Sequence, residues 1–177
     1  MNQLWAPWRM AYILSTAETS AECIFCAFPA NGPAHHREHL ILWAGRHSFV
    51  IMNRYPYSNG HLLVVPRRHV ADPEHLPGDE YQACTEVLRR TTTILRKVLA
   101  AHGMNIGMNL GRVAGAGIES HCHWHLVPRW NGDTNFMAVV GDTRVISEHL
   151  EATYERLLPH FAAVREEPGI STSDNEG

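Results

Sequence analysis

The chain has 177 residues, enough for one domain with short extensions. A net charge of −3 gives the whole molecule no pull toward nucleic-acid backbone or an anionic membrane, and no apolar run approaches the ~20 residues that a bilayer span needs. The 45% hydrophobic content supports a real core, and the 13 histidines are the one compositional outlier.

The opening stretch, Met1-Asn2-Gln3-Leu4-Trp5, lacks the basic start and apolar run of a signal peptide. Residues 1–20 carry Trp5, Trp8, Met10 and Tyr12, which read as an arm that packs onto its own domain. Cys23-Ile24-Phe25-Cys26 is a knuckle that can place two thiolates on one tetrahedral ion. A thioredoxin-like redox pair needs a helix start in a βαβ pattern, and this flank does not show one. The four cysteines read as reduced thiols in a cytoplasmic protein rather than as a disulfide framework.

Pro29 to Arg37 is a polar turn. Leu40 to Trp43 and Ser48 to Met52 predict two strands, joined through Ala44-Gly45-Arg46-His47. The Pro56 and Asn59-Gly60 turn chemistry then delivers His61 to Pro66, a short apolar strand buried on both faces, with Arg67-Arg68-His69 at its end. From Asp79 to His102, Tyr81, Cys84, Val87, Leu88, Thr91, Ile94, Leu95, Val98 and Leu99 recur at helical steps. They predict an amphipathic helix stopped at Gly103, with Cys84 a buried thiol.

Met104 to Leu110 predicts a strand, followed by a loop rich in small residues, Gly111 to Ser120. Such a loop either cradles phosphate oxygens on its backbone N–H groups or is a flexible connector. Next come His121, His123 and His125, alternating with Cys122, Trp124 and Leu126. That is strand periodicity, and it puts the three imidazoles on one face about 7 Å apart, at ~3.3 Å rise per residue, with an apolar back face. The row can be a metal site, a nucleophile with supporting bases, or a histidine-rich exposed face. Trp130 to Met137 is a turn-rich loop. Val145 to Phe161 predicts a second helix with Leu150, Tyr154, Leu157, Leu158 and Phe161 on one face. Residues 166–177 form a polar, disordered tail.

The motif His121-x-His123-x-His125-Leu126-Val127 resembles the signature of the histidine triad superfamily. So do Asn53-Arg54-x-Pro56, the run from Gly60 to His69, and Asn109-x-Gly111. The Leu4 to Ile13 stretch and Gly132 to Met137 are similar to a subgroup that includes mycobacterial diadenosine tetraphosphate phosphorylases. The resemblance implies an α+β fold: an antiparallel sheet with two main helices in one compact domain spanning 21–165. It also implies a homodimer that binds an adenine nucleotide or a diadenosine polyphosphate.

By the same resemblance, His123 attacks an α-phosphorus and carries the nucleotidyl group as a covalent intermediate. A neutral imidazole suits that role, and splitting one displacement into two lowers each barrier. Phosphoryl oxygens need fixed donors, which Asn109, His125 and the Gly115, Ala116 and Gly117 backbone can supply. Asn53 resembles the residue that holds the ribose hydroxyls, and His61 the one near the base. Cys23, Cys26, His69 and His121 resemble the four ligands of a structural zinc site. One departure stands out: many members carry a Gln just before the triad, whereas here Ile118-Glu119-Ser120 precedes His121. That departure is compatible with inorganic phosphate in place of water as acceptor. Two rival readings are a metallohydrolase whose zinc is held by the three histidines, and a non-catalytic nucleotide-binding module.

Overall fold

The computed structural model describes residues 22–133 and 148–166. The expected N-terminal arm, the segment 134–147, and the tail after Glu166 lie outside the described residues. Five strands form one antiparallel sheet: β1 (Ile41–Ala44), β2 (Ser48–Met52), β3 (Leu62–Pro66), β4 (Gly103–Met108) and β5 (Trp124–Arg129). Their spatial order is β1-β2-β3-β5-β4. Three helices accompany them: α1 (Ile24–Ala30), α2 (Gly78–Leu99) and α3 (Leu150–Phe161). The α+β architecture expected from the sequence is the one observed.

Strand alternation gives the sheet two different faces. Leu42, Val50, Met52, Leu62, Val64, Trp124 and Leu126 share a cluster with Val87, Leu95 and Leu99 of α2 and Tyr154, Leu157 and Phe161 of α3. On the opposite face Ile41, Phe49, Ile51, Leu63 and Val65 pack against Phe25 of α1. All five residues of β3 are buried, as its unbroken apolar run predicts. The helical layer is scaffold, and the face under α1 carries the histidines.

Several elements depart from their sequence expectation. α2 ends at Leu99, where Ala100 takes the left-handed conformation (φ 50°, ψ 38°), and Gly103 opens β4 rather than closing the helix. Two residues of the predicted helix faces, Tyr81 and Leu158, are exposed. His149 precedes the first turn of α3, so Leu150 is the first helical residue. α1 has no counterpart in the sequence reading. It is seven residues long, has Pro29 in its last turn, and lacks a side-chain cap and a periodic apolar stripe. Glu166, grouped with the tail, is held by the β1–β2 turn through Arg46, His47 and Ser48.

Candidate active site and metal-binding cluster

The histidine row lies half inside the sheet. β5 begins at Trp124, so His125 sits in the ladder between Leu63 of β3 and Gly107 of β4, while His121 and His123 precede it. Cys122 is tied instead to a loop, its N–H donating to the Val70 carbonyl at 2.7 Å. The alternation survives this change: Cys122, Trp124 and Leu126 enter the helical core. The histidines face the other way, but they do not converge on one point.

His121 is fully buried. Its Nε2–H donates to the Pro66 carbonyl at 2.8 Å, because a carbonyl can only accept. The unprotonated Nδ1 therefore turns to the thiols, 3.4 Å from Cys23 Sγ and 3.6 Å from Cys26 Sγ. His69 Nδ1 lies 3.3 Å from Cys26 Sγ. α1 makes this arrangement: Cys23 is its N-cap and Cys26 lies three residues on, so one helical turn brings both sulfurs to one side. That helix start corrects the sequence reading of the knuckle's flank.

The four ligand atoms lie within 4.8 Å of one another, and among the described residues this is the one group able to hold a metal ion. A tetrahedron with Zn–S of about 2.3 Å and Zn–N of about 2.05 Å has S···N edges of roughly 3.5 Å. Three of the S···N separations, 3.3–3.6 Å, match those edges, while the whole set lies within 4.8 Å. Burial, with smaller effects from His69 and His123, lowers the His121 pKa to about 4, so the ring is neutral as a ligand must be. Burial and the neighbouring Cys23 push the Cys26 thiol up, a direction that a bound cation reverses. Of the three triad histidines, only His121 belongs to the candidate metal group found among the described residues.

His123 is 6% exposed. Its Nδ1–H donates to the His121 carbonyl at 2.9 Å, which leaves the lone pair on Nε2. Desolvation lowers its pKa, outweighing the raising effect of that hydrogen bond, so the ring is neutral near pH 7. A neutral imidazole with a fixed tautomer and an unprotonated Nε2 has the form that a nucleophilic histidine needs.

His61 is 1% exposed. Its Nδ1 accepts the Tyr57 N–H at 3.1 Å, so its proton sits on Nε2 and points to His125 Nδ1, 2.9 Å away. His125 in turn carries its proton on Nε2. The line Tyr57–His61–His125 thus makes His125 a hydrogen-bond donor toward the site. Asn53 serves the same line: its Nδ2 lies 3.3 Å from His61 Nδ1, and its Oδ1 accepts the Tyr55 N–H at 2.9 Å.

The small-residue loop is a folded turn. A 3₁₀ segment runs from Arg112 to Ala114, the Gly115 N–H donates to the Arg112 carbonyl, and the Ala116 N–H donates to that of Gly111. Two of the backbone N–H groups expected at a phosphate, those of Gly115 and Ala116, thus make hydrogen bonds within the loop. Asn109 Nδ2 reaches the Gly115 carbonyl at 3.5 Å and ties loop to strand. Gly117 is exposed on the loop.

Sequence reasoning missed Phe25 and Gly107. The Phe25 ring lies 4.9 Å from His123 and 5.5 Å from His121, a wall shared by the Cys/His cluster and the His123 ring. Its only sequence signal was an aromatic inside the Cys-x-x-Cys. Gly107 is paired with His125, and a Cβ there would meet nothing within 4 Å, so one flank of His125 stays open.

Residues 37–132 match the HIT domain model. The chain belongs to the HIT domain family. This HIT protein is 34% identical over 167 residues to the AP-4-A phosphorylase of Mycobacterium tuberculosis, an alignment covering 92% of this chain and 85% of the relative. It is also 34% identical over 111 residues to an uncharacterized HIT-like protein of Methanocaldococcus jannaschii, covering 63% of this chain and 81% of that one. Among solved structures, a Zn-bound histidine triad family protein from Mycobacterium smegmatis superposes with a TM-score of 0.64 at 27% identity, covering 81% of this chain and 96% of its own. The C. elegans NitFhit protein superposes with a TM-score of 0.54 at 26% identity, over 69% of this chain and 26% of that longer one.

Proposed function

We propose that this HIT protein is a nucleotidyl transferase that cleaves a dinucleoside polyphosphate, or another AMP-bearing substrate, at the α-phosphate. The observation that carries the reading is the tautomer of His123, buried and neutral with its lone pair on Nε2. In the first step Nε2 bonds to the α-phosphorus and the bond from phosphorus to the bridging oxygen breaks. The leaving polyphosphate departs with that electron pair. In the second step the acceptor oxygen bonds to phosphorus and the N–P bond breaks, returning His123 to its neutral form. His125, donating from Nε2, steadies the charge that develops on the phosphoryl oxygens, and Asn53 and His61 hold that donor in place. Asn109 shapes the phosphate-side loop, and Gly117 is the loop glycine left to approach an oxygen.

Inorganic phosphate is the preferred acceptor in this reading. The support is the M. tuberculosis AP-4-A phosphorylase relative, together with Ile118-Glu119-Ser120 standing where many family members carry Gln. With diadenosine tetraphosphate and phosphate, the expected products are ADP and ATP. AMP plus ATP would instead assign water as the acceptor. An acid-labile adenylyl group on His123, absent from His123→Ala, is the direct test; no adduct with any nucleotide substrate would remove the catalytic reading.

The cluster of Cys23, Cys26, His69 and His121 is read as a structural zinc site, closed by four protein ligands. Its role is to fix α1, and with it Phe25, against the site. A homodimer through β4 completes the proposal. That strand is a sheet edge carrying exposed Ile106, followed by exposed Leu110 and Val113. No helix among the described residues is long and apolar enough to cross a membrane. A cytoplasmic location fits the four free cysteines.

A further inference from the structure

The turn between β1 and β2 has the build of an oxyanion receptor. Three successive backbone N–H groups converge on one carboxylate: Arg46 N donates to Glu166 Oε2 at 3.0 Å, and His47 N and Ser48 N both donate to Oε1 at 2.7 Å. The Ser48 hydroxyl adds a fourth bond at 3.1 Å. Gly45 completes the cradle, since a Cβ there would lie 2.7 Å from the Glu166 carboxyl carbon and 2.2 Å from the Trp43 ring. Consecutive N–H groups aimed at one point form a nest, which binds anions by partial positive charge without a formal cation.

Cations are nonetheless present. Beside the nest lies an open cavity of about 230 Å³ lined by Arg46, His47, Arg67, Arg68 and Glu80. Glu80 is committed to Arg68 through two bonds, at 2.9 and 2.5 Å. Arg67 Nε donates to the Gly45 carbonyl at 3.0 Å, and among the described residues no carboxylate pairs with the guanidinium of Arg46 or Arg67. A clip made only to hold Glu166 has no use for this surplus of positive charge. A tetrahedral dianion has, because it offers one oxygen edge to the nest and further oxygens to the arginines.

We infer that this turn is a second anion site, selective for a phosphate group, and that Glu166 is its built-in competitor. The site is separate from the histidines and does not depend on the proposed reaction. It is one ladder pair from the metal cluster: Ser48 pairs with Pro66, whose carbonyl holds His121.

The test follows the backbone amides of Arg46, His47 and Ser48 by ¹⁵N NMR in the full-length protein. Inorganic phosphate and AMP are titrated separately, at constant ionic strength with chloride as control. In Glu166→Gln these three amides shift saturably. In the wild type they shift only at roughly tenfold or higher ligand concentration, the scale of one displaced charge-assisted hydrogen bond. Arg46→Gln in the Glu166→Gln background weakens the response. A response to either ligand supports the site, and the stronger one names free phosphate or a phosphate monoester as occupant. If Glu166→Gln does not fold, wild-type protein at high phosphate serves, where the three amides and that of Glu166 shift together. No shift of these amides in folded protein, or a shift that chloride reproduces, overturns the inference.

Discussion

A single proton position decides what His125 can do. The Tyr57 N–H occupies His61 Nδ1, so His61 donates to His125 Nδ1 and the His125 proton sits on Nε2. His61→Phe removes that constraint without shrinking the side chain much. We expect kcat for nucleotide cleavage to fall by roughly 10²-fold or more, the usual scale for a misplaced acid or donor, with a smaller change in KM. His61→Gln, which keeps a donor, should retain more activity than His61→Phe. Equal rates for the two variants would mean that the line from Tyr57 to His125 has no role in turnover. The alternation of the triad told which residues share a face. It could not tell that His61 meets His125 across 64 positions, because periodicity reports local geometry and not long-range partners.

At the scale of elements, α2 was legible because its stripe persists for 22 residues, while α1 was invisible because seven residues hold no full repeat. α2 also carries a testable charge arrangement. Glu86 takes two bonds from Arg89 and one from Arg90. The Arg89 hydrogen bonds are the largest cause that holds its carboxyl below the ordinary value of 4.5. A carboxylate with a depressed folded pKa adds stability above its unfolded pKa, and that stability is lost as pH falls through the folded pKa. Glu86→Gln should therefore cost about 0.5–1 kcal/mol at pH 7 by urea unfolding, the range for helix ion pairs. The gap between variant and parent should narrow as the pH falls from the ordinary carboxylate value of 4.5 through the depressed folded pKa. A gap that persists unchanged in acid would show that the loss is one of packing.

At the scale of the whole molecule, the two-faced sheet separates scaffold from chemistry. The apolar β3 and the back face of the triad were readable because each rests on a run of adjacent residues, whereas the fold class came from the family resemblance. The closing of Cys23 and Cys26 onto His69 and His121, and of Glu166 onto the β1–β2 turn, joins distant segments and was not readable from spacing. With zinc bound at ~100-fold excess over its dissociation constant, the ion adds ~2.7 kcal/mol, so chelation should lower Tm by roughly 5–10 °C. Cys23→Ser should lose the metal by elemental analysis, and metal-free wild-type protein from zinc-replete medium would count against the assignment. Ile106→Lys, on the β4 edge, should shift the protein toward monomer in sedimentation velocity while leaving its circular dichroism intact; an unchanged dimer would move the interface elsewhere.

The cluster of Cys23, Cys26, His69 and His121 joins segments far apart in the described chain. Its two thiols are synthesised early, yet Cys23 meets His121 across 98 positions and Cys26 meets it across 95. Loops of that length close late, because their entropy is lost before their contacts form. Any shortened product that stops before His121 keeps the thiols and lacks the site. Closure of the four-residue cluster therefore requires a chain synthesised past His121.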